Sequence, residues 1–569
     1  MIKNLPKNWD IETDVVAVGS GGGGLTAAIT AHEFGARALV LERSDKLGGV
    51  TAFSMGELWI PGNHFAAAQG VEDSPESGYR YIRRLSMGYG DDRMIFNQAV
   101  HGPVALKFFA DRIGLKMINI RHLPDYYYPH IEHSKPEGRY LEVEPFPAAT
   151  LGEWQHKVRV SPHVPYAMVH ADIFDNGGLA NMLNWDYSVM GERMAKDERC
   201  AGPGLAAWYV KGALDRKIPI HTGTSVVELF GDGERITGLR AIKDGKDVVV
   251  KANRGVVIAV SSYERNREFA KTLSHQIDPV SMVMPAIDGA HLRLAGQAGA
   301  RIARVPDPSM LGIQVPGEEQ EDGVPLWRGA LPFMGLPHTI VVNQKGRRFS
   351  NEAFYRSVYY GLEVIDATTQ THPNYPCWLV LDQQARDKYP LGSVMPGQTL
   401  PDGLGVSADS LEALAQKTGI AAQGLAETVQ RFNAYSASGK DEEFDRGSFL
   451  WGRLMVGDAK QKPNPNLGAL SKPPYYAIPL HRMGGGGITS TGIRADEHCR
   501  AVDWNDRPIA GLYVAGNSVA RMDNGAIMQS GLTNARGMTH GYLAGRHAAG
   551  RPSDLLEKEL ARLGGKPPQ

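Results

Sequence analysis

The sequence contains very little cysteine and has no excess of either charge. Only 3 of its 569 residues are cysteines, and Cys200, Cys377 and Cys499 lie far apart, without the spacing of a zinc site or a disulfide framework. Lysine plus arginine (61) nearly equals aspartate plus glutamate (62), so no strong field attracts nucleic acid. We therefore expect no metal and no nucleic acid, and a small compact ligand as the partner.

Long apolar runs are missing as well. Nowhere do about 18 consecutive apolar residues occur, the length that a membrane-spanning helix needs. The first ten residues, MIKNLPKNWD, lack the apolar stretch and the small-residue cleavage site of a secretory signal. We expect a cytoplasmic protein without a transmembrane segment. Its length of 569 residues predicts at least two domains.

The first recognisable element is a β-α-β unit. Residues 14–18 (DVVAV) form a β-branched apolar run that predicts a buried parallel strand, and a glycine-rich turn, GSGGGG, follows at once. Residues 25–34 (LTAAITAHEF) have helical spacing, and residues 37–41 (RALVL) predict a second strand. The unit therefore has the layout of a dinucleotide-binding motif.

The turn in this unit has the GxGxxG form. Gly19 permits the tight turn, Gly21 lets the backbone approach a pyrophosphate at the helix N-terminus, and Gly24 allows close helix packing. Glu42 ends the second strand, where it can accept hydrogen bonds from ribose hydroxyls. We predict that these four residues bind a nucleotide cofactor.

The rest of the chain suggests an interrupted domain. Residues 60–210 are mixed, residues 221–260 show strands separated by turns, and the character changes after residue 285 to loops and a helix-rich stretch near 405–436. Strand-like, glycine-rich sequence resumes near residue 474. We predict a nucleotide-binding domain in two parts, residues 1–285 and 471–569, with a second domain inserted at 286–470.

A segment just after Glu42 carries a family resemblance. Residues 46–56 (KLGGVTAFSMG) are similar to the GGxTxxSxG segment of the fumarate reductase and succinate dehydrogenase flavoprotein superfamily, which includes the 3-ketosteroid dehydrogenases. In that superfamily the segment runs along the pyrophosphate and the flavin ring. The resemblance implies FAD contacts at Gly48, Gly49, Thr51, Ser54 and Gly56.

Two further segments resemble the same superfamily. Residues 511–517 (GLYVAGN) are similar to its GLYAAGN segment and imply FAD contacts at Gly516 and Asn517, to which we add Val226 in the strand after residue 221. Residues 343–352 (NQKGRRFSNE) are similar to the NxxGxRFxNE of its inserted domain. The segment near Thr51 lacks the histidine that tethers flavin in succinate dehydrogenases, so we expect non-covalent FAD.

The resemblance also implies a fold class. We expect an α/β protein, with a Rossmann-like FAD-binding domain of the glutathione-reductase type and an inserted α+β substrate-capping domain. The active site is expected where the two domains meet.

One stretch resembles the ketosteroid branch in particular. Residues 125–129 (DYYYP) are similar to the DYYP run of ketosteroid Δ1-dehydrogenases, in which a tyrosine lines the active site, and Tyr128 is the matching position. Those enzymes hold the substrate carbonyl with a tyrosine and a glycine N–H of a YPGxG segment. In residues 527–531 (IMQSG) the glycine is kept as Gly531, but Ile527 replaces the tyrosine.

Other residues resemble motifs of the soluble fumarate and urocanate reductases. Arg356 stands four residues after Glu352, where those reductases have an arginine that delivers a proton, and Tyr355 beside it is a second candidate for proton transfer. His481, in HRMGG, is similar to their substrate-binding HTMGG. Met528 replaces their second carboxylate-binding arginine, which argues against a C4-dicarboxylate substrate.

Together these features predict the chemistry. We expect FAD-dependent dehydrogenation of a CH–CH bond next to a ketone in an alicyclic or steroid-like compound, with hydride passing to the flavin. The alternatives are an FAD-dependent reductase of an activated C=C bond, which would bind an enone, and a non-catalytic flavoprotein. No haem CxxCH or iron–sulfur cysteine pattern is present, so the electron acceptor or donor is external.

Overall fold

In a computed structural model of the chain, residues 2–163, 166–277, 279–306, 309–320 and 322–568 are described, with only the backbone at Tyr355. The strands are β1 (Ile11–Val18), β2 (Ala38–Leu41), β3 (Leu58–Trp59), β4 (Met117–Asn119), β5 (Tyr140–Val143), β6 (Phe146–Pro147), β7 (Glu198–Arg199), β8 (Ile220–His221), β9 (Thr224–Gly231), β10 (Ile236–Lys243), β11 (Lys246–Ile258), β12 (Ile302–Arg304), β13 (Met310–Glu319), β14 (Pro325–Gly329), β15 (Thr339–Asn343), β16 (Cys377–Asp382), β17 (Val406–Ala408), β18 (Tyr475–Met483), β19 (Thr491–Ile493), β20 (Arg500–Val502) and β21 (Pro508–Val514).

Helices lie between some of these strands, whereas others, such as β8 to β11 and β18 to β21, follow one another directly. The helices are α1 (Gly22–Glu33), α2 (His64–Ala67), α3 (Pro75–Leu85), α4 (Asp92–Ile113), α5 (His170–Asp175), α6 (Ser188–Ala195), α7 (Ala201–Asp215), α8 (Arg267–Ser274), α9 (Ala290–Ala298), α10 (Leu331–Met334), α11 (Tyr355–Leu362), α12 (Gln383–Lys388), α13 (Leu411–Thr418), α14 (Ala422–Ser438), α15 (Leu450–Met455), α16 (Leu532–Ala548) and α17 (Leu555–Arg562).

The largest sheet has eight strands and a parallel centre. Its main path runs β20, β21, β11, β1, β2 and β8, with β1 parallel to both β2 and β11, and β11 parallel to β21. Strands β9 and β10 join β11 as an antiparallel meander. The predicted β-α-β unit forms β1, α1 and β2 of this sheet.

Strand β1 is buried on both faces, as a central parallel strand must be. Val15 and Ala17 pack into one apolar core together with residues of α1, α7 and α16. Val16 and Val18 point the other way, into a second core with the meander and α9. Burial on both faces explains why the sequence of β1 is continuously apolar and does not alternate.

Helices α1 and α16 cross at very short range. A side chain at Gly541 would place its Cβ 1.9 Å from Oγ1 of Thr26, and one at Gly545 would place it 2.5 Å from the carbonyl oxygen of Ala27. Only glycine fits at such an approach. The crossing fixes the N-terminus of α16 beside the glycine-rich turn that begins α1.

A second sheet of six strands forms the other large layer. It runs β14, β13, β18, β16 and β15, with β17 also paired to β18, and all of its pairings are antiparallel. Strand β18 lies beyond the predicted boundary at residue 470, and Leu294, Ala295 and Ala298 of α9 pack in the core of the first sheet. We propose that the inserted domain spans about residues 310–483 rather than 286–470.

The NxxGxRFxNE segment forms a buried ion cluster in this second domain. Glu352 accepts hydrogen bonds of 2.7 and 2.8 Å from Arg348, and Arg446 lies 3.3 Å from it. Burial disfavours the ionised carboxyl, but the two arginines hold the pKa of Glu352 below its ordinary value. The motif therefore has a structural role here, holding α14 and the adjoining loop against β15.

Removing this carboxylate should destabilise the fold. Because Glu352→Gln leaves the buried Arg446 without its carboxylate partner and removes one of the two buried partners of Arg348, we expect the free energy of unfolding to fall by about 3–5 kcal/mol. Urea denaturation measures this change. The matched control is Glu427→Gln, which removes an exposed partner of Arg347 and should leave the midpoint unchanged. Equal midpoints for the two variants would contradict the structural role.

Candidate cofactor and active site

The glycine-rich turn is shaped by close backbone contacts. Gly19 leaves β1 with a φ of +103°, a conformation that favours glycine. A Cβ at Gly24 would lie 1.9 Å from the carbonyl oxygen of Gly19, and one at Gly23 would lie 3.1 Å from Cβ of Ala515. Because the turn carries no bulky side chains, a pyrophosphate can approach the backbone at the N-terminus of α1 closely.

Beside this turn lies a first cavity of about 210 Å³. Glu42 lines it from the end of β2, accepting hydrogen bonds from the N–H and hydroxyl of Ser20 at 2.9 and 2.6 Å and from the N–H of Ser44 at 2.8 Å. These bonds hold the carboxylate in place against the glycine turn. Other predicted cofactor contacts that line this cavity are Gly19, Gly21, Gly49 and Val226.

A second cavity, of about 340 Å³, continues from the first. The predicted contacts that line it are Gly21, Thr51, Ser54, Gly56, Gly516 and Asn517. Thr51 accepts a hydrogen bond from the N–H of Gly22 at 3.1 Å, which ties the segment 48–56 to α1. Gly48 is outside both linings, but its N–H donates to Ser20 at 3.2 Å, so it shapes the turn.

The two cavities form one cleft that fits an elongated dinucleotide. They share Gly21, Val50, Ala259 and Ser261 along the start of α1. The cleft offers a carboxylate at one end, backbone N–H groups in the middle and, at the other end, Asn517, whose buried Oδ1 has no partner among the described residues. A ribose, a pyrophosphate and a flavin ring match these three parts in order.

The predicted Gly531 lies where the second cavity meets α16. It precedes the first residue of this 17-residue helix, with a φ of +74°, and a Cβ there would lie 2.6 Å from the backbone nitrogen of Trp59. Gly531 lines the cavity. A helix N-terminus carries a partial positive charge, so this position suits an oxygen on which negative charge develops.

The tyrosine run reaches the cavity at a different residue from the one predicted. Among the described residues that line the second cavity, Tyr126 is present and Tyr128 is not. Asp125, just before it, accepts hydrogen bonds from Trp59 at 2.7 Å and Arg139 at 2.8 Å, which fixes the start of the run. The extra tyrosine of DYYYP, compared with DYYP, made the choice ambiguous from sequence.

The arginine predicted to transfer a proton, Arg356, forms hydrogen bonds away from the cavity. Arg356 is 3% exposed, donates to the hydroxyl of Tyr360 at 2.6 Å and to the carbonyl of Ala526, and is outside the described lining of the cavity. It therefore ties α11 to the loop before Gly531. The side chain of Tyr355 lies outside the described residues.

His481 is likewise not brought to the cavity. It lies on β18, 4.9 Å from the ring of Trp327 in an edge-on contact, and it is not among the described residues that line either cavity. Burial lowers its pKa below the ordinary value. The position of His481 in the second sheet, against Trp327, is consistent with a packing role.

Several polar residues on the cavity wall were missed from the sequence. Glu57 and Ser530 line the second cavity, and the hydroxyl of Ser530 donates to Glu57. Gln529 also lines it, accepting from Tyr81 at 2.9 Å and donating to Tyr140. In the sequence, these residues could have been found from their position beside Gly56 and Gly531, which were predicted as site residues.

A buried histidine lies behind this wall, in contact with Glu57. His170 lies with Nε2 2.8 Å from Glu57 and Nδ1 2.9 Å from Glu142, the first contact being an ion pair without a well-directed hydrogen bond. Burial disfavours the imidazolium, but Glu142 and Glu57 together raise the pKa of His170 to about 10. At neutral pH a cation thus stands between two carboxylates next to the cavity.

A comparison with known families decides the identity of the fold. The model of the FAD-binding domain family matches residues 14–531. The chain belongs to this family. The predicted cofactor, FAD, and the predicted class, an FAD-dependent oxidoreductase with a Rossmann-like α/β fold, are thereby confirmed.

Two relatives of this FAD-binding protein that match it over nearly their whole length are dehydrogenases. The chain is 31% identical to 4-oxocyclohexanecarboxylate 2-dehydrogenase of Sinomonas cyclohexanicum, over 95% of this chain and 93% of that one. It is 32% identical to 3-oxosteroid 1-dehydrogenase of Mycobacterium tuberculosis, over 95% and 98%. The predicted resemblance to the ketosteroid dehydrogenase branch is confirmed.

Solved structures show the same similarity. The 3-ketosteroid Δ1-dehydrogenase of Sterolibacterium denitrificans, in complex with 1,4-androstadiene-3,17-dione, is 31% identical and superposes with a TM-score of 0.83, covering 95% of this chain and 99% of that one. A flavocytochrome c3 fumarate reductase, at 20% identity and a TM-score of 0.63, shares the fold. No helix within the described residues has the length and apolarity needed to cross a membrane.

Proposed function

We propose that this protein dehydrogenates a CH–CH bond next to a ketone in an alicyclic or steroid-like compound. The observation that carries the proposal is the position of Gly531, at the N-terminus of α16, in the same cavity as the flavin-side residues Thr51, Ser54 and Asn517. A ketone oxygen at this helix end lies within reach of a positive dipole, which acidifies the neighbouring α C–H.

The residues that line the cleft would bind different parts of FAD. Glu42 and Val226 hold the adenosine end of FAD, the turn at Gly19 to Gly24 holds the pyrophosphate, and the segment 48–56 with Gly516 and Asn517 holds the ring. When bound, FAD supplies the hydride acceptor. An apolar wall receives the substrate rings and excludes water, and consists of Phe53, Met282, Val283, Met310 and Met528.

Tyr126 takes the role for which the resemblance suggested Tyr128. Its ring is 4% exposed and packs 4.5 Å from Trp451, so the side chain has one position relative to the cavity. Ile527, which replaces the carbonyl-binding tyrosine, is 2% exposed and belongs to an apolar core. Tyr126 is thus the tyrosine that remains at the cavity to donate to the substrate.

The relatives support this direction of the reaction. Two of them, named above, act by their names on a 4-oxocyclohexane ring and on a 3-oxosteroid, both of which carry a ring ketone. The reductase alternative rested on Arg356 and His481, and neither lines the cavity among the described residues. The external electron acceptor remains part of the proposal.

The experiment is anaerobic spectroscopy of the FAD-loaded protein. We would add saturated ketones one at a time, including a 3-ketosteroid, cyclohexanone and 4-oxocyclohexanecarboxylate, and follow the oxidised flavin band. Bleaching by a saturated ketone is the expected result and identifies the ring class. If no ketone bleaches the band while an enone reoxidises the dithionite-reduced protein, the enzyme is a reductase and the proposal is wrong.

A further inference from the structure

The cavity wall beside Gly531 carries a buried carboxylate with a partner on each oxygen. Glu57 is 5% exposed and lines the cavity. Its Oε2 accepts the hydroxyl proton of Ser530, and its Oε1 lies 2.8 Å from Nε2 of His170. Ser530 directly precedes Gly531. The carboxylate is therefore bonded to the residue next to the place proposed for the ketone oxygen.

His170 places a positive charge beside this carboxylate. The imidazole is buried, and its backbone N–H as well as its Nδ1 bond to Glu142, at 3.0 and 2.9 Å. Its raised pKa means that it stays cationic at neutral pH. The imidazolium contacts Oε1 of Glu57, so Oε2, which faces Ser530, is the oxygen placed as a proton acceptor.

The proposed reaction needs such an acceptor near the α-carbon. Arg356 cannot serve, because a guanidinium stays protonated and this one is bonded to the carbonyl of Ala526. The α-carbon is one bond from the carbonyl carbon, so a ketone held at the N–H of Gly531 brings its α-hydrogen close to the preceding residue. That residue is Ser530, whose hydroxyl already donates to Glu57.

We propose that Ser530 and Glu57 form the proton relay that removes the α-hydrogen of the ketone, an inference that rests on the proposed function. The α C–H bond breaks, its proton passes to Oγ of Ser530, and the hydroxyl proton of Ser530 passes to Oε2 of Glu57. The electron pair of the bond forms the enolate, with its oxygen at Gly531. FAD, when bound, would supply the acceptor for the β-hydrogen as hydride, and loss of that hydride would convert the enolate into the enone.

His170 acts in this scheme as a positioning residue, because it contacts Glu57 and not the substrate. The titratable groups that face the cluster from neighbouring elements are Glu142 and Tyr140 on β5, Cys200 before α7, and Tyr126. Of these, Glu142 is the one in contact with the imidazole. Loss of His170 therefore changes the charge beside Glu57 while the wall of the cavity stays in place.

The test separates proton removal from hydride transfer. Protein whose FAD has been reduced with dithionite is incubated in D2O with a ketone that bleaches the oxidised protein, and deuterium uptake at the α-carbon is followed by NMR. Because reduced FAD accepts no hydride, uptake reports proton removal alone. Variants are compared at equal FAD content, and Ser530→Ala, which removes one oxygen, complements Glu57→Gln if the latter accumulates poorly.

We expect Glu57→Gln and Ser530→Ala each to slow uptake about 100-fold, with Ser530→Thr restoring much of it. The matched control is Glu144→Gln, which changes a half-buried carboxylate beyond the cluster and should exchange like the wild type. Wild-type uptake should change as the pH rises through about 10, where His170 loses its proton. This step should be absent in His170→Gln, whereas a merely structural defect would lower uptake equally at every pH.

Wild-type uptake in Glu57→Gln would overturn the relay while leaving the proposed function intact. Loss of uptake in His163→Gln alone would do the same, since His163 also lines the cavity. If no ketone bleaches the wild-type protein, the proposed function fails first and the relay fails with it. The two failures are therefore distinguishable.

Discussion

The variant Gly24→Ala is expected to fold into a colourless protein that binds no FAD. The Cβ of alanine would lie 1.9 Å from the carbonyl oxygen of Gly19, a distance that real Cβ atoms do not reach. Because both atoms belong to the turn at the start of α1, relief of the clash must move the backbone N–H groups that face the pyrophosphate. The absorbance of the purified protein and its released flavin measure the effect.

A glycine in a helix of the same domain provides the control. Gly296 lies in α9, and a Cβ there would meet nothing within 4 Å. Gly296→Ala should therefore purify yellow, with wild-type FAD content. A yellow Gly24→Ala protein would show that the turn tolerates displacement, and the proposed position of the pyrophosphate would then be wrong.

The variant Tyr126→Phe is expected to keep FAD and to lose most of its turnover. The ring stays packed against Trp451 and Phe354, so only the hydroxyl at the cavity is removed. Loss of one hydrogen-bond donor to a developing oxyanion lowers turnover about 100-fold. The measurement is the rate of flavin bleaching by a ketone that reduces the wild-type protein.

The neighbouring tyrosine makes this prediction specific. Tyr128→Phe removes a hydroxyl from the same run, at a residue outside the described lining of the cavity, and should leave the bleaching rate close to the wild-type value. The reverse result, a slow Tyr128→Phe and a normal Tyr126→Phe, would restore the assignment drawn from the DYYP resemblance.

Local features of the cofactor domain could be predicted from the sequence because neighbouring residues determine them. The alternation of strand, glycine turn and helix at residues 14–41 requires contacts only within the unit, and it appears as β1, α1 and β2. The role of Glu42 could be predicted in the same way, since its position at the end of β2 places it beside the turn. The family match supports the cofactor that these motifs implied.

The active-site wall could not be predicted in the same way, because its members are far apart in the chain. Glu57 and Ser530 are 473 positions apart, and Glu57 meets His170 only through the folding of β5 and α5. Neither spacing nor composition indicates such contacts. Arg356 and His481 were placed by motif position, which gives the strand or helix but not the direction in which the side chain points.

The contact between α1 and α16 has a consequence for biosynthesis. The helix that follows the cofactor turn is synthesised long before its partner across Gly541 and Gly545, since Thr26 of α1 and Gly537 of α16 are 511 positions apart. Strand β21, which pairs with β11, is likewise synthesised long after β1. A nascent chain that ends before α16 thus lacks one wall of the FAD cleft, so FAD can become fully enclosed only after Leu532–Ala548 has been synthesised.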